Sequence, residues 1–261
     1  MRSLRLFFIG GLTSYRALFD FLSPAIFIPS LLVAPVFQVL LFAYIGRSAG
    51  VESDEFFLIG NALQYASIPC IFAMTQVVSD ERFSQTLGAI LVSPAPRLPL
   101  FVGRALPIVV NAFGVCAFTF VVGGLLLDVR IPASAVPGIA LVTLVAAYSC
   151  TGLGLFVAAI GLVVRETAVL SNVVFGLLLI FTGANIPDDR TPAWMDAVGD
   201  VLPFTHAIEA ARDLAAGSSL GDVAGLVWTE LAIGSVFLAA GYASLLVLEQ
   251  ASRRYATLER A

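Results

Sequence analysis

Six apolar stretches, each about twenty residues long or longer, constrain this chain more than any other feature of its sequence. A helix needs about 20 mostly apolar residues to cross the hydrocarbon core of a bilayer. The first five stretches contain no charged residue, and the sixth contains only Glu230. We therefore predict an all-α membrane protein in which residues 1–261 form a single transmembrane domain. The six transmembrane helices are expected at about residues 25–45, 56–78, 105–127, 137–164, 167–186 and 223–248.

The composition excludes several other classes of protein. Hydrophobic residues make up 59% of the chain and charged residues 12%, against about 45–50% and 25% in soluble domains. The net charge of −4 argues against a nucleic-acid partner, because phosphate binding needs a basic face. All 14 basic residues are arginines, and a Walker A phosphate-binding loop requires a lysine. We therefore expect no cofactor bound by this chain and no enzymatic activity of its own.

The arginines predict the orientation of the spans. Loops on the cytoplasmic side of membrane proteins carry an excess of Lys and Arg. An even number of spans puts both termini on one side, and that side would hold ten of the 14 arginines. The sequence therefore predicts a multi-pass protein of the cytoplasmic (inner) membrane with both termini in the cytoplasm.

Residues 1–22, before the first span, form an amphipathic pattern. At 100° per residue, Arg2, Arg5, Arg16 and Asp20 fall on one narrow stripe, and the rest of the circumference is mostly Leu, Phe and Ile. This pattern favours a helix that lies in the cytoplasmic interface with its arginines toward anionic lipid headgroups. The alternative is an extension of the first span.

Two connections between spans are too long to be simple turns. In residues 79–104, Ser79 can cap a short helix that runs to about Val92, where the following prolines end it. In residues 187–222, we expect a helix from Thr205, as N-cap, to a stop at Gly217. Its apolar face would consist of Ile208, Ala211, Leu214 and Ala215.

Polar residues inside the spans are candidates for a pathway or for contacts between helices. Amides in lipid usually hydrogen-bond to neighbouring helices. For the single carboxylate in a span, we expect snorkelling to the interface; facing a substrate or a partner subunit is the alternative. The five candidates are Asn61, Gln64, Asn172, Asn185 and Glu230.

Small and reactive residues carry no catalytic signal. Gly154 and Gly161 would let another helix approach the fourth span closely, whereas the three cysteines, all in apolar runs, are expected to be small buried hydrophobes. The only histidine, His206, has no partners that indicate a metal site or a catalytic site. We therefore predict neither a metal site nor a catalytic site.

The first long connection contains four short motifs: Glu81-Arg82, Thr86-Leu87, Ser93-Pro94-Ala95-Pro96-Arg97 and Gly103-Arg104. With these motifs it resembles the corresponding connection of type-2 ABC exporter permeases, the family of daunorubicin-resistance-type drug exporters and polysaccharide exporters. Two positions depart from the family pattern, since Gln85 stands where a Gly is common and Gly88 where a Glu is common. The order of the interfacial helix, spans and outer helical segment is similar along the whole chain.

The resemblance implies a permease for efflux of an amphiphilic substrate, such as a drug, a lipid or a lipid-linked glycan. It also implies two copies of a separate ATPase subunit, which would bind the ATP and Mg, and a second permease, identical or related. Residues 79–92 would be the coupling helix that receives force from the ATPase. The implied coupling residues are Asp80, Glu81, Arg82, Thr86, Leu87, Ser93, Pro94 and Arg97.

A secondary transporter that uses no ATPase is the alternative function. Such transporters normally carry carboxylates or broken helices near the middle of the membrane. Glu230 is the only carboxylate in the predicted spans, and it lies toward one end of its span.

Overall fold

The computed structural model describes residues 28–83, 97–161, 167–187 and 190–255, and every regular element in these ranges is a helix. The all-α prediction is therefore confirmed, while the predicted interfacial helix of residues 1–22 lies outside the described residues. After a π-helical turn at Ile28–Val33, the helices are α1 Ala34–Ala49, α2 Asp54–Tyr65, α3 Ser67–Phe83, α4 Arg97–Leu127, α5 Val136–Gly161, α6 Thr167–Phe181, α7 Ala193–Gly199, α8 Thr205–Ala215 and α9 Ala224–Tyr255.

Five helical segments in the described ranges are long and apolar enough to cross a bilayer. They correspond to predicted spans one, two, three, four and six. These segments are Ile28–Ala49, Asp54–Gln76, Pro107–Leu127, Val136–Gly161 and Ala224–Val247.

The predicted fifth span, residues 167–186, is shorter than expected. Helix α6 ends at Phe181, and its 15 residues extend only about 22 Å at about 1.5 Å per residue. The chain then bends through residues 182–186, where Gly183 has a φ of 67°. Glycine adopts this left-handed conformation without a Cβ clash, so the chain can leave the helix here. The segment remains apolar beyond this point, and its composition therefore overestimates the length of the helix.

The second span consists of two helices. Helix α2 ends at Tyr65, and α3 begins two residues later at Ser67. Pro69 lies four residues after Tyr65, so it has no N–H for the Tyr65 carbonyl, and its ring would clash with that carbonyl in a continuous helix. The sequence is apolar on both sides of this break, so its hydropathy does not indicate that the helix is interrupted.

The connection after the second span differs from the prediction at both of its ends. Helix α3 continues through Ser79 to Phe83, so the prediction that Ser79 caps a new helix is wrong. Residues 70–83 contain no Gly or Pro that would end the helix. Helix α4 begins at Arg97, directly after Pro96, eight residues before the predicted start of the third span. Residues 84–96 lie outside the described residues.

Helix α5 is the centre of the bundle. It is apolar around its circumference, as expected for a buried helix, and it packs against α3, α4, α6, α8 and α9. Close approach depends on glycine: a Cβ on Gly234 of α9 would lie 2.5 Å from Ser149 Cα, and one on Gly154 would lie 2.5 Å from the Cys70 carbonyl oxygen. The predicted role of Gly154 is confirmed, and Gly161 lies against Thr167 of α6.

We expect Gly234→Ala to lower the free energy of unfolding by about 1–3 kcal/mol, because the added methyl overlaps the backbone of α5. Gly176→Ala is the matched control, since no atom lies within 4 Å of a Cβ at that position; alanine favours helix there. Thermal unfolding of the purified protein in detergent measures both. Equal stability of the two variants would contradict the close α5–α9 packing.

The segment between α6 and α9 folds back onto the bundle. Helix α8 packs on α2, α5 and α9 through a buried face that includes the predicted Ile208, Ala211 and Leu214. It ends at Ala215 before Gly217, which has a φ of 103°, so the predicted helix and its stop are confirmed. Before α9, Asp222 accepts hydrogen bonds from the Ser219 N–H and Oγ at 2.8 and 2.7 Å, and these bonds hold the pKa of Asp222 below its ordinary value.

Candidate functional site

Four amide side chains meet between α1, α2 and the bend after α6. Gln38 lies on α1, Asn61 and Gln64 on α2, and Asn185 in the bend. The three-residue spacing of Asn61 and Gln64 puts both on one face of α2, and both are completely buried. We call these four residues the amide cluster. It contains three of the five candidates that the sequence indicated, together with Gln38.

Hydrogen bonds join the amide cluster across three parts of the chain. Asn61 Nδ2 donates to Asn185 Oδ1 at 2.8 Å and to the Phe57 carbonyl at 2.9 Å. Gln38 Nε2 donates to Asn61 Oδ1 at 3.0 Å and to Gln64 Oε1 at 2.9 Å. Hydrogen bonds among buried amides tie helices together where hydrocarbon offers no alternative partner.

The amide cluster also has unused hydrogen-bonding capacity. Gln64 Nε2 is buried and has no hydrogen-bond partner among the described residues, and the same holds for Ser67 Oγ, three residues further along at the start of α3. Buried polar groups are normally paired. Two buried polar groups without a hydrogen-bond partner among the described residues therefore lie beside the break at Ala66.

Arg212 of α8 extends the polar region toward the outer segment. Its Nη2 donates to the carbonyl oxygens of Gly183 and Ala184 in the bend, at 3.0 and 3.3 Å, and to that of Phe56 at 3.3 Å. Its guanidinium carbon lies 3.5 Å from the centre of the Phe56 ring, a cation–π contact. The arginine therefore pairs carbonyls that the irregular backbone after α6 leaves outside a helix.

Glu230 does not snorkel, contrary to the sequence-based expectation. Its side chain is fully buried, and its Oε1 accepts a hydrogen bond from the Phe204 N–H at 3.0 Å. Phe204, at the N-cap position of α8, has a φ of 80° and no side-chain cap of its own. Because α8 folds back against α9, a carboxylate 26 residues further along stabilises the N-terminus of α8, where negative charge is favoured.

Thr205 is therefore not the N-cap that the sequence predicts. It is the first residue of α8, and its hydroxyl donates to the Gly199 carbonyl at 2.7 Å. His206 Nε2 lies 3.1 Å from the Asp200 carbonyl oxygen. Both side chains thus tie α8 to α7 and the short connection between them.

The remaining candidates lie apart from the amide cluster. Among the described residues Asn172 bonds only locally, to the Ala168 carbonyl at 2.9 Å, on an exposed face of α6. Asp80, Glu81 and Arg82 lie in the last turns of α3, and Arg97 is the first residue of α4. The other implied coupling residues, Thr86, Leu87, Ser93 and Pro94, lie outside the described residues.

Gln38 and Arg212 are the polar residues that the sequence reasoning missed. Gln38 is an isolated amide in an apolar span, the same signal that selected Asn61. Arg212 lies in the second long connection, outside the predicted spans, and was therefore not selected as a candidate. The three cysteines are free and buried, as expected, and in the described ranges no three His, Cys, Asp or Glu side chains lie close enough together to hold a metal ion.

We expect Glu230→Leu to destabilise the protein by about 1–3 kcal/mol, the cost of leaving the buried Phe204 N–H without an acceptor. Glu230→Gln is the matched control, because its amide oxygen can accept the same hydrogen bond. Thermal unfolding in detergent compares the two. A leucine variant as stable as the glutamine variant would show that the carboxylate does not cap α8.

The family model described as ABC-2 type transporter matches residues 8–215, well over half of the chain. The match includes the amide cluster, the connection between α3 and α4, and the whole of α8. A search of curated proteins finds no match.

Proposed function

Because the chain belongs to the ABC-2 type transporter family, we propose that it is the permease subunit of an ATP-driven exporter, with ATP hydrolysed by a separate subunit. The observation that carries this proposal is the family match over a helical membrane bundle with a buried polar cluster. The proposed substrate is amphiphilic: a drug, a lipid or a lipid-linked glycan. The amide cluster offers hydrogen bonds to a polar group of such a substrate.

The proposed ATPase contact lies at the ends of α3 and α4. These two helices pack against each other, and the segment of residues 84–96 connects them. The charged residues Asp80, Glu81 and Arg82 precede that segment and Arg97 follows it, so an ATPase bound there would push on the ends of two spans. The partner, in two copies, would bring the ATP and Mg.

Helix α3 offers a route from that contact to the amide cluster. Its 17 residues form a continuous helix about 25 Å long at about 1.5 Å per residue. A stiff rod of this kind carries a displacement at Phe83 to the break at Ala66, beside Gln64 and Ser67. We propose that α3 pivots at this break, because Pro69 has already removed the hydrogen bond that would hold α2 and α3 in line.

A second permease, identical or related, has candidate contact residues on two helices. Phe37 and Leu41 on α1, and Val169 and Val173 on α6, are large apolar side chains that are exposed in the single chain. Asn172 lies among those of α6 as an exposed amide. An amide on an apolar face favours contact with another membrane helix over contact with lipid tails, so we propose that Asn172 faces the second permease.

The structure provides an argument against secondary transport. Glu230, the one carboxylate in the predicted spans, is buried and accepts a hydrogen bond from the backbone at the start of α8. A carboxylate in this position stabilises a helix end. This contact accounts for the burial of the carboxylate without a coupling ion.

Affinity purification of the chain from its native membrane tests the proposal directly. We expect an ATPase of the ABC class to copurify in a stable complex.

A variant with two glycines inserted after Gly88 tests the coupling. We expect the insertion to abolish transport and substrate-stimulated ATP hydrolysis while the complex still assembles. Each glycine disfavours helix by about 1 kcal/mol, and in the coupling helix that the resemblance implies the pair would rotate the following residues by about 200°. Charge reversal at Glu81 or Arg82 should weaken coupling in the same direction.

The control is the same two-glycine insertion after Ser218, in the exposed connection between α8 and α9. It should leave transport close to wild type. Transport that needs no copurifying ATPase would support the secondary transporter instead. Wild-type coupling in a stable Gly88 insertion variant would place the ATPase contact elsewhere, most simply in residues 1–22.

The proposed orientation puts both termini in the cytoplasm. Single cysteines at Glu52 and Ser218, both exposed, should react with a membrane-impermeant thiol reagent added outside intact cells, and one at Ser84 should not. Glu52 suits this test better than Asp54, which forms an ion pair with Arg47. The three native cysteines are buried and give little background. The opposite labelling pattern would reverse the orientation.

A further inference from the structure

A groove lies between α4 and α5, near the connection that joins them. Its volume is about 510 Å³, within the range of about 300–1,000 Å³ that small-molecule sites occupy. Neither helix contributes a side chain to the amide cluster. The walls are mainly apolar and include Phe113, Phe120, Val121, Leu125, Val136 and Ile139.

The groove has a closed floor and an open side. Cys116, Ile139 and Thr143 are buried at its base, whereas Leu125 is 79% exposed and Val121 62% exposed at its edge. Both edge residues lie in a helix that is apolar and long enough to cross a bilayer. The open side of the groove therefore faces the surroundings of the span, from which an acyl chain can enter.

Two opposite charges, Asp128 and Arg130, stand at the end of the groove. Both side chains are exposed, and the described structure shows no ion pair between them. They follow directly on Leu127, the last residue of α4, which is where a span leaves the hydrocarbon and meets the headgroups. A phospholipid likewise joins apolar acyl chains to a charged headgroup, so its two parts match the apolar groove and the charges at its end.

Asp128 is an unexpected residue for its position. It has a φ of 55° and forms the left-handed turn that ends α4, in which the Val129 N–H donates to the Gly124 carbonyl at 2.9 Å. Asparagine and aspartate both adopt this conformation more readily than other residues with a side chain, so the turn itself does not require a carboxylate. A carboxylate is disfavoured there by the negative end of the helix dipole, and this local preference is overridden, which points to a role for the charge itself.

The two charges suit the two charges of a zwitterionic headgroup. The Asp128 carboxylate and the C-terminal carbonyls of α4 together attract a cation that can donate hydrogen bonds. The Arg130 guanidinium, two residues further on, has the fork of N–H groups that binds phosphate. An anionic headgroup without an amine would leave Asp128 facing negative charge.

We propose that the groove binds a phospholipid with a primary-amine zwitterionic headgroup, such as phosphatidylethanolamine. One acyl chain lies between α4 and α5, the phosphate contacts Arg130 and the ammonium contacts Asp128. The binding site is separate from the amide cluster, so the lipid is a bound component of the membrane and does not occupy the proposed substrate site.

Native mass spectrometry of the full-length protein, titrated with lipids of matched acyl chains, tests this proposal. We expect phosphatidylethanolamine to bind at least about fivefold more tightly than phosphatidylglycerol or phosphatidylcholine, because each of the latter loses one charge-assisted hydrogen bond. Asp128→Asn, which tolerates the left-handed conformation, should remove the preference over phosphatidylglycerol. Arg130→Gln should weaken binding of all three lipids.

A second experiment fills the groove with a larger side chain and measures how much lipid the protein retains. Ala117 lines the groove, and Ala117→Phe should reduce the retained lipid by a factor similar to the preference for phosphatidylethanolamine given above. Val236→Phe is the matched control, on an exposed position of α9 outside the groove, and Arg190→Gln, at an exposed arginine elsewhere, controls for loss of charge. Thermal unfolding verifies that each variant is folded.

Three outcomes would overturn the proposal. Lipid retention that is the same in Ala117→Phe and Val236→Phe would mean that the groove is empty of lipid. Equal binding of the three lipids, unaffected by either charge change, would mean non-specific lipid around the spans. A preference for phosphatidylglycerol that only Arg130→Gln removes would mean an anionic-lipid site.

Discussion

The structure depends on one constraint: in the hydrocarbon core no water is available to pair with polar groups, so the protein must pair them itself. Regular helices meet this condition internally. Where the backbone is irregular, a side chain from another element supplies the partner. Arg212 donates to the carbonyls of the bend after α6, and Glu230 accepts from the N–H at the start of α8. The bundle can therefore contain non-helical backbone without exposing it to lipid.

The same constraint concentrates the polar side chains. The break at Ala66 and the bend after α6 lie close to the amide cluster, which joins α1, α2 and that bend. Helix α8 is held at both of its ends, by Glu230 near its start and by Arg212 near its end. A displacement of α3 or α8 would have to rearrange this polar region, and that is the physical basis for proposing it as the part of the permease that responds to ATP hydrolysis.

Apolar length predicted the presence of the spans well and their interruptions poorly. Hydropathy averages over about twenty residues, so it places five of the six spans and misses the end of α6 at Phe181. Pro69 was visible in the sequence, yet a proline inside an apolar run kinks a helix in some contexts and ends it in others. Ser79 has the chemistry of an N-cap, but capping requires a helix to begin there, and α3 passes through it without interruption.

The sequence by itself determined that this is a helical membrane protein, because apolar length and the absence of charge are local properties that only a bilayer accommodates. It also determined the helix of residues 205–215, whose amphipathic period and terminal glycine are local signals. Only the tertiary structure decided the partners of the polar residues. Glu230 and Phe204 are 26 residues apart, and Asn61 and Asn185 are 124 apart. Each of these side chains has several possible roles until packing selects one, since a hydrogen bond depends on where two atoms meet in space, and sequence distance carries no information about that.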